Sequence, residues 1–123
     1  LGLTASQGYT VLAITRNGST SMNQLSERMA HANSTMTRML DNLVRKGLAF
    51  RSEDEADRRI VLVGLTPQGQ KMQATLESEK EALMKEAFAD IRDEEHSMIL
   101  DGLKKIAKAM RAAVERCKSS CVG

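Results

Sequence analysis

Aromatic side chains are almost missing from this sequence, which has one Tyr (Tyr9), two Phe (Phe50 and Phe88) and no Trp. That scarcity excludes RNA-binding modules that stack bases on exposed aromatic platforms. Proline occurs once, at Pro67, while Leu, Met, Ala, Lys and Glu are abundant, so a mainly helical chain is expected. Cysteine occurs only as Cys117 and Cys121, too few for a disulfide scaffold. The plain reading of this pair is tail thiols, and the sharper one is an inter-protomer disulfide under oxidation. No apolar run approaches the roughly 18 residues of a membrane span. With no signal peptide pattern either, the expected location is the cytoplasm. The two histidines, His31 and His96, lie in different segments with no Cys near either. Zinc needs three or four ligands at short spacing, so no metal site is expected. Ser-His-Asp order, a Gly-rich phosphate loop and a paired-carboxylate motif are all lacking. Neither an enzyme nor a cofactor is expected.

What is present is enough for one folded domain of 123 residues, with 41% hydrophobic and 28% charged residues. A net charge of +2 names no polyanionic partner by itself, so the distribution of charge has to be read instead.

The chain is organised around residues 33–65. Upstream, Thr4 is a plausible N-cap for a helix from Ser6 to Thr15 with Tyr9, Leu12 and Ala13 inward, closed by Asn17-Gly18. Ser21 to Gln24 fits a capping box, a hydroxyl followed three residues later by Gln. The helix it opens, Met22 to Ala30, buries Leu25 and Met29. After a short break at His31-Ala32, Asn33 or Ser34 is expected to cap the next helix, which stops at Gly47. Its buried stripe is Met36, Met39, Leu40, Leu43 and Val44. Its other face carries Ser34, Thr35, Thr37, Arg38, Asp41, Asn42 and Arg45. A short strand at 48–51 and a β-rich run at 59–65 flank a polar loop, Ser52 to Arg58, whose tip must sit in water. Thr66-Pro67 then starts a long helix reaching about Asp90, with Met72, Leu76, Leu83, Ala87 and Ile91 on one face. Asp93 is expected to cap a last helix with Ile99, Leu103, Ile106, Met110 and Val114 inward.

Two short helices, a tight break and a β-hairpin are the order of a winged helix-turn-helix, whose second helix enters the major groove. Small hydroxyls allow close backbone approach, and an arginine such as Arg38 can fork onto guanine. Arg58 and Arg59 at the hairpin suit a narrow minor groove, and Asp57 beside them can hold an arginine in one rotamer. Taken alone, each feature has an ordinary explanation. Arg38 or Arg45 can be a solvated surface charge, the hydroxyls simple caps, and Asp57-Arg58-Arg59 a plain turn. Order and spacing carry the argument. The rival is a helical interaction module whose winged helix binds protein.

The segments LTASQGYTVLAI, MNQLSERMAHANSTMTRMLDNLVRKGLAF and DEADRRIVLVGLTPQGQKM resemble the MarR family of transcriptional regulators. The most specific part is Asp57-Arg58-Arg59 followed by Leu65-Thr66-Pro67-Gln68-Gly69, similar to the family's wing signature. The resemblance implies one MarR-like domain over 1–123. It would comprise a winged helix-turn-helix lobe at 4–66 and dimerisation helices at 67–118, with the family's N-terminal dimerisation helix expected to be absent. It implies a homodimeric repressor on a palindromic double-stranded DNA operator, released by a small aromatic or phenolic effector. It implies DNA-binding positions at Ser21, Asn33, Ser34, Thr35, Thr37, Arg38, Arg45, Asp57, Arg58 and Arg59. Arg59 would be the minor-groove arginine, and the acidic Glu53-Asp54-Glu55 would temper non-specific affinity. An effector pocket is expected near Tyr9, Leu12, Met29, Met39 and Met72, although each of these also suits plain core.

Overall fold

A computed structural model of the chain describes the backbone of residues 2–121 and side chains to residue 120. The Cys121 side chain, and with it the pairing considered for Cys117, lies outside the described residues. The order of elements is α1 (Ala5–Ala13), β1 (Thr20–Ser21), α2 (Met22–Met29), α3 (Asn33–Arg45), β2 (Ala49–Glu53), β3 (Val61–Leu65), α4 (Pro67–Ala87) and α5 (Asp93–Cys121). The chain falls into two compact units that divide between Ala82 and Leu83.

The first unit is built on a small core in which Val11, Ile14, Leu25, Met36, Leu40, Leu43 and Val63 lose essentially all solvent. Two capping boxes set its first helices. Thr4 accepts from the Gln7 amide while the Gln7 side chain accepts from the Thr4 amide, and Ser21 and Gln24 do the same for α2. Each box satisfies two helix-end donors reciprocally.

The inward face of α1 is not the expected one. Gly8, Thr10 and Val11 are buried, while Tyr9 is 65% exposed and Leu12 and Ala13 are only half-buried. The reason is chemical. The Thr10 hydroxyl donates to the Ser6 carbonyl at 2.8 Å and so enters the core already satisfied. Gly8 packs beside the Leu76 side chain, which a Cβ there would meet at an ordinary contact distance of 3.9 Å.

The sheet has three antiparallel strands in the order β1-β3-β2, one more than the hairpin expected. Thr20 and Ser21 pair with Val63 and Leu62, so the start of α2 is stitched to the wing's inner strand. The inner strand shows no clean alternation, since Val63, Gly64 and Leu65 are all buried. Gly64 lies under the Phe50 ring, where a Cβ would come within 2.5 Å of ring carbon, so one face of the strand is roofed by an aromatic.

The long helix α4 opens at Thr66-Pro67 as expected, with the Thr66 hydroxyl accepting from the Gly69 amide at 3.0 Å. It stops at Ala87, short of Asp90. Its inward face in the first unit is Gly69 and Gln73, flanked by Met72 and Leu76. Gln73 is 1% exposed. It enters the core because its amide nitrogen donates to two carbonyls at the end of α1, Val11 at 2.9 Å and Ile14 at 2.8 Å.

In the second unit, α5 begins at Asp93 itself, so Asp93 lies in the first turn with Glu94 and Glu95, where acidic groups complement the helix dipole. His96 in its first turns sits edge-on to Phe88, which precedes the helix, with ring centroids 5.6 Å apart. Leu103, Ile106, Met110 and Val114, expected inward, are each more than half exposed in the single chain, and Leu83 on α4 likewise.

Candidate nucleic-acid interface

The turn between α2 and α3 is short because Ala30 takes a left-handed backbone, φ 54, which reverses the chain at once. That conformation costs a residue with a Cβ roughly 1–2 kcal/mol. The cap of α3 is Ala32, which offers no side-chain bond, rather than Asn33 or Ser34. Asn33 is instead the first helical residue. Its side-chain oxygen accepts from the Ser26 hydroxyl at 2.5 Å and its amide donates to Asn23 at 3.3 Å. Both ends of that side chain tie α3 to α2, which sets the angle of the second helix.

Along α3, Met36, Leu40 and Leu43 are buried, Met39 is half-buried and Val44 stands at the edge, 36% exposed. Ser34, Thr35, Thr37 and Arg38 are exposed on the N-terminal half of the helix. The Thr37 hydroxyl bonds back to the Asn33 carbonyl at 2.8 Å. Arg45 lies at the far end, folded onto the Asp41 carbonyl at 3.3 Å and the Asn42 side chain. The helix stops in a Schellman arrangement. The Leu48 amide donates to Leu43 and the Gly47 amide to Val44, both at 3.0 Å, with Gly47 at φ 73.

The wing's tip is pinned by two aspartates. Asp54 accepts the Ala56 amide at 2.7 Å and the Asp57 amide at 3.3 Å, and the Asp54 amide closes the loop onto the Ile60 carbonyl at 3.1 Å. The acidic run before the tip is thus partly structural, which its composition alone did not reveal. Asp57 then grips Arg59 three times. One oxygen accepts the Arg59 amide at 3.1 Å and Nε at 3.0 Å, and the other accepts Nη2 at 3.0 Å. The Arg59 hydrogen bonds hold the Asp57 carboxyl below the usual carboxylate range and raise the guanidinium further. The Arg59 side chain is nevertheless 90% exposed, so the fork is oriented without being buried.

Ser21, Asn33, Thr37 and Arg59 come together around one cavity of about 310 Å³, floored by Met22, Ile60 and Val61. Ser34, Thr35 and Arg38 stand on the same helix beside it. Arg45 is not part of this group, and Arg58 lines a separate hollow with Glu53, Asp54 and Glu55.

Two sets of residues escaped the sequence reading. One is Arg51 on β2, which reaches across to α3 and binds Asp41 at 2.7 Å. An alternating strand gave no signal for a charge that turns back onto the helix. The other is the joint behind the wing. The Thr66 hydroxyl donates to the Gly47 carbonyl, and its amide donates to the Leu48 carbonyl at 3.1 Å. A Cβ at Gly69 would lie 1.9 Å from that same carbonyl oxygen. The Leu-Thr-Pro-x-Gly run, read as part of a wing signature, is here a close contact between a helix start and the end of α3.

The residues expected around an effector divide. Tyr9, Leu12 and Met29 line an open basin of about 510 Å³ together with Arg28, His31 and Lys80. Met39 and Met72 do not line it, because both are packed against the core. Arg28 at its edge donates to the Ala13 carbonyl at 2.7 Å. Among the described residues no cluster of His, Cys, Asp or Glu could hold a metal ion, and no helix is long and apolar enough to cross a membrane.

Comparison with known proteins gives the following. The model of the MarR family matches residues 1–60. The uncharacterized HTH-type transcriptional regulator YdgJ of Bacillus subtilis is 34% identical over 86 residues, 70% of this chain. The chain spans about half of that relative, 52% of its length. The HTH-type transcriptional repressor MdtR of the same organism is 29% identical over 109 residues, covering 88% of this chain and 70% of the repressor. A crystal structure of mutant MarR from E. coli complexed with operator DNA superposes with a TM-score of 0.74 at 27% identity, covering 85% of this chain and 76% of that one.

Proposed function

We propose that the chain is a MarR-family regulator, the family whose model and relatives it matches, and that it represses transcription by binding a palindromic operator as a homodimer. The α3 helix enters the major groove and offers Ser34, Thr35, Thr37 and Arg38 to bases and phosphates. The wing presents Arg59 to the adjacent minor groove. Ser21 and the start of α2 face a phosphate, where helix-end amides favour an anion. Arg58 and Arg45 add charge at the margins, and Asn33 acts by fixing the angle of α3. The protein works in the cytoplasm, where its DNA is.

The observation that carries this reading is Arg59. A guanidinium held by two hydrogen bonds, on a residue whose amide makes a third to the same carboxylate, and still 90% exposed has lost most of its rotamer freedom without gaining burial. Such a group is prepared for a partner outside the chain, and a narrow A·T-rich groove concentrates the negative potential that suits it. The second copy is expected to cover the apolar stripe of α5. The basin by Tyr9, Leu12 and Met29, with Arg28 and Lys80 at its rim, fits a small aromatic carboxylate or phenolate.

Selection of bound sites from random duplexes tests the whole. The expected product is an A·T-flanked palindrome whose affinity falls linearly with log salt. No preference over random DNA at physiological salt would leave the winged helix as a protein-binding module. A series of substituted benzoates, titrated against the selected complex, tests the effector basin; Lys80→Ala should abolish any release they cause.

A further inference from the structure

We propose that Arg51 is a positioning residue that locks the wing to the reading helix, so that both enter DNA as one rigid body. The proposal rests on the DNA-reading role given above and adds a residue to it. Arg51 sits at the centre of β2, opposite Val63 of β3. Its guanidinium turns to α3, not to the tip. Nη2 forms an ion pair with the Asp41 carboxylate at 2.7 Å and donates to the Thr37 carbonyl at 3.1 Å. A carbonyl already in a helix ladder has a second lone pair for such a donor. Among the described residues these are the only side-chain polar bonds between the wing strands and α3. Thr37 also lines the cavity that Arg59 lines, so the lock lies between the two groups that would touch DNA.

The pair is too open to be there mainly for stability. Arg51 is 33% and Asp41 47% exposed, and ion pairs at that exposure add little to folding. What an ion pair combined with a hydrogen bond to a second, geometrically distinct acceptor does supply is direction. Apart from its two-residue pairing with β1, the hairpin is otherwise held through its base, and its outer part can tilt. Tilt would carry Arg59, several residues further out, away from the groove while leaving α3 in place. Fixing Arg51 to both a side chain and a backbone atom of α3 removes that freedom before binding, so the operator does not have to supply the ordering.

Charge arithmetic and positioning predict opposite signs for one variant, which makes the test sharp. Asp41→Asn removes a negative charge beside the DNA-facing helix. If Arg51 and Asp41 were only surface charges, this variant would bind operator more tightly. If they form the lock, it binds more weakly. The parent, Arg51→Ala, Asp41→Asn, Arg59→Ala and the two double variants with Arg59→Ala are titrated with the selected duplex at several salt concentrations. Thermal melting is followed in parallel. Both lock variants are expected to weaken binding by about tenfold, within the range of coupling between interacting residues. The salt slope should stay that of the parent, because no phosphate contact is lost. Replacing Arg59 should then cost several-fold less in either lock background than in the parent.

A slope reduced by about one unit in Arg51→Ala would make Arg51 a direct phosphate contact and overturn the proposal. So would tighter binding by Asp41→Asn, or an Arg59 cost that is the same in every background. Should Arg51→Ala fail to fold, Asp41→Asn carries the same test, since a side chain of the same size removes the ion pair without emptying the position. A parent that prefers no duplex overturns the DNA-reading role itself. A parent that binds, with strictly additive variants, overturns only the lock.

Discussion

Arg59 is at once exposed and constrained, and Asp57 is the reason. A carboxyl whose pKa is lower in the folded chain contributes stability above its unfolded value and loses it as pH falls through the folded value. Asp57 is lowered first by the Arg59 side chain and then by the Arg59 amide. The brace is therefore complete at neutral pH and opens only in acid, below about pH 4, where carboxylates ordinarily titrate. The Arg59 Nε–H resonance should stay put from pH 7 to 5 and move only below that. Movement between pH 7 and 6 would mean that another group holds the arginine. Arg59→Ala should weaken operator binding by about 1 kcal/mol or more, roughly the low end of one specific contact, with no change in melting temperature. At this scale the sequence was legible where side chains act on close neighbours. Asp57 and Arg59 are two residues apart, and their pairing could be anticipated. Arg51 and Asp41 stand ten apart on different elements, and Asn33 reaches back seven to Ser26. No local pattern announces such partners.

The elements meet at joints where glycine and threonine set the distance. Gly69 faces the Leu48 carbonyl so closely that a methyl at 1.9 Å cannot coexist with it. Because the obstacle is backbone, relief requires moving the start of α4 off the end of α3. Gly69→Ala is expected to cost about 1–3 kcal/mol, the usual range for overpacking, visible as a lower denaturation midpoint. A parent-like midpoint would mean that the joint is looser than its geometry. Ser21→Ala, which removes one cap of a capping box, should cost about 1 kcal/mol by the same measurement. Helix starts and stops were readable here because caps and the Gly47 stop are local devices. The facing of α1 was not, because it puts Gly8 and Thr10 inward, and neither looks apolar; Thr10 is buried with its hydroxyl already bonded to the Ser6 carbonyl. The strand β1 was not readable either. Two residues have no period, and they become a strand only because β3 arrives beside them. Gln73 was missed for a similar reason, since its burial is offset by carbonyls about 60 residues away in sequence.

For the whole molecule, the core of the first unit and the apolar stripe of α5 call for different partners. The first unit buries Val11, Leu25, Leu40 and Val63 within itself. Leu103, Ile106, Met110 and Val114 lie three or four residues apart along α5 and remain more than half exposed. Burying one such side chain is worth about 1.5–3 kcal/mol. Association costs roughly 4–15 kcal/mol of lost freedom before any surplus appears. In the proposed homodimer a few of these side chains from each protomer would separate dimer from monomer, and a charge in their midst should be decisive. Ile106→Lys is expected to sediment as a monomer at micromolar concentration while the first unit keeps its NMR fingerprint. Its affinity for the full palindrome should fall by about a hundredfold or more, because two linked half-site contacts become independent ones. Its affinity for an isolated half-site should match that of the parent. An Ile106→Lys chain that remains dimeric would move the interface off this stripe. One that is monomeric yet binds the palindrome undiminished would separate dimerisation from operator recognition.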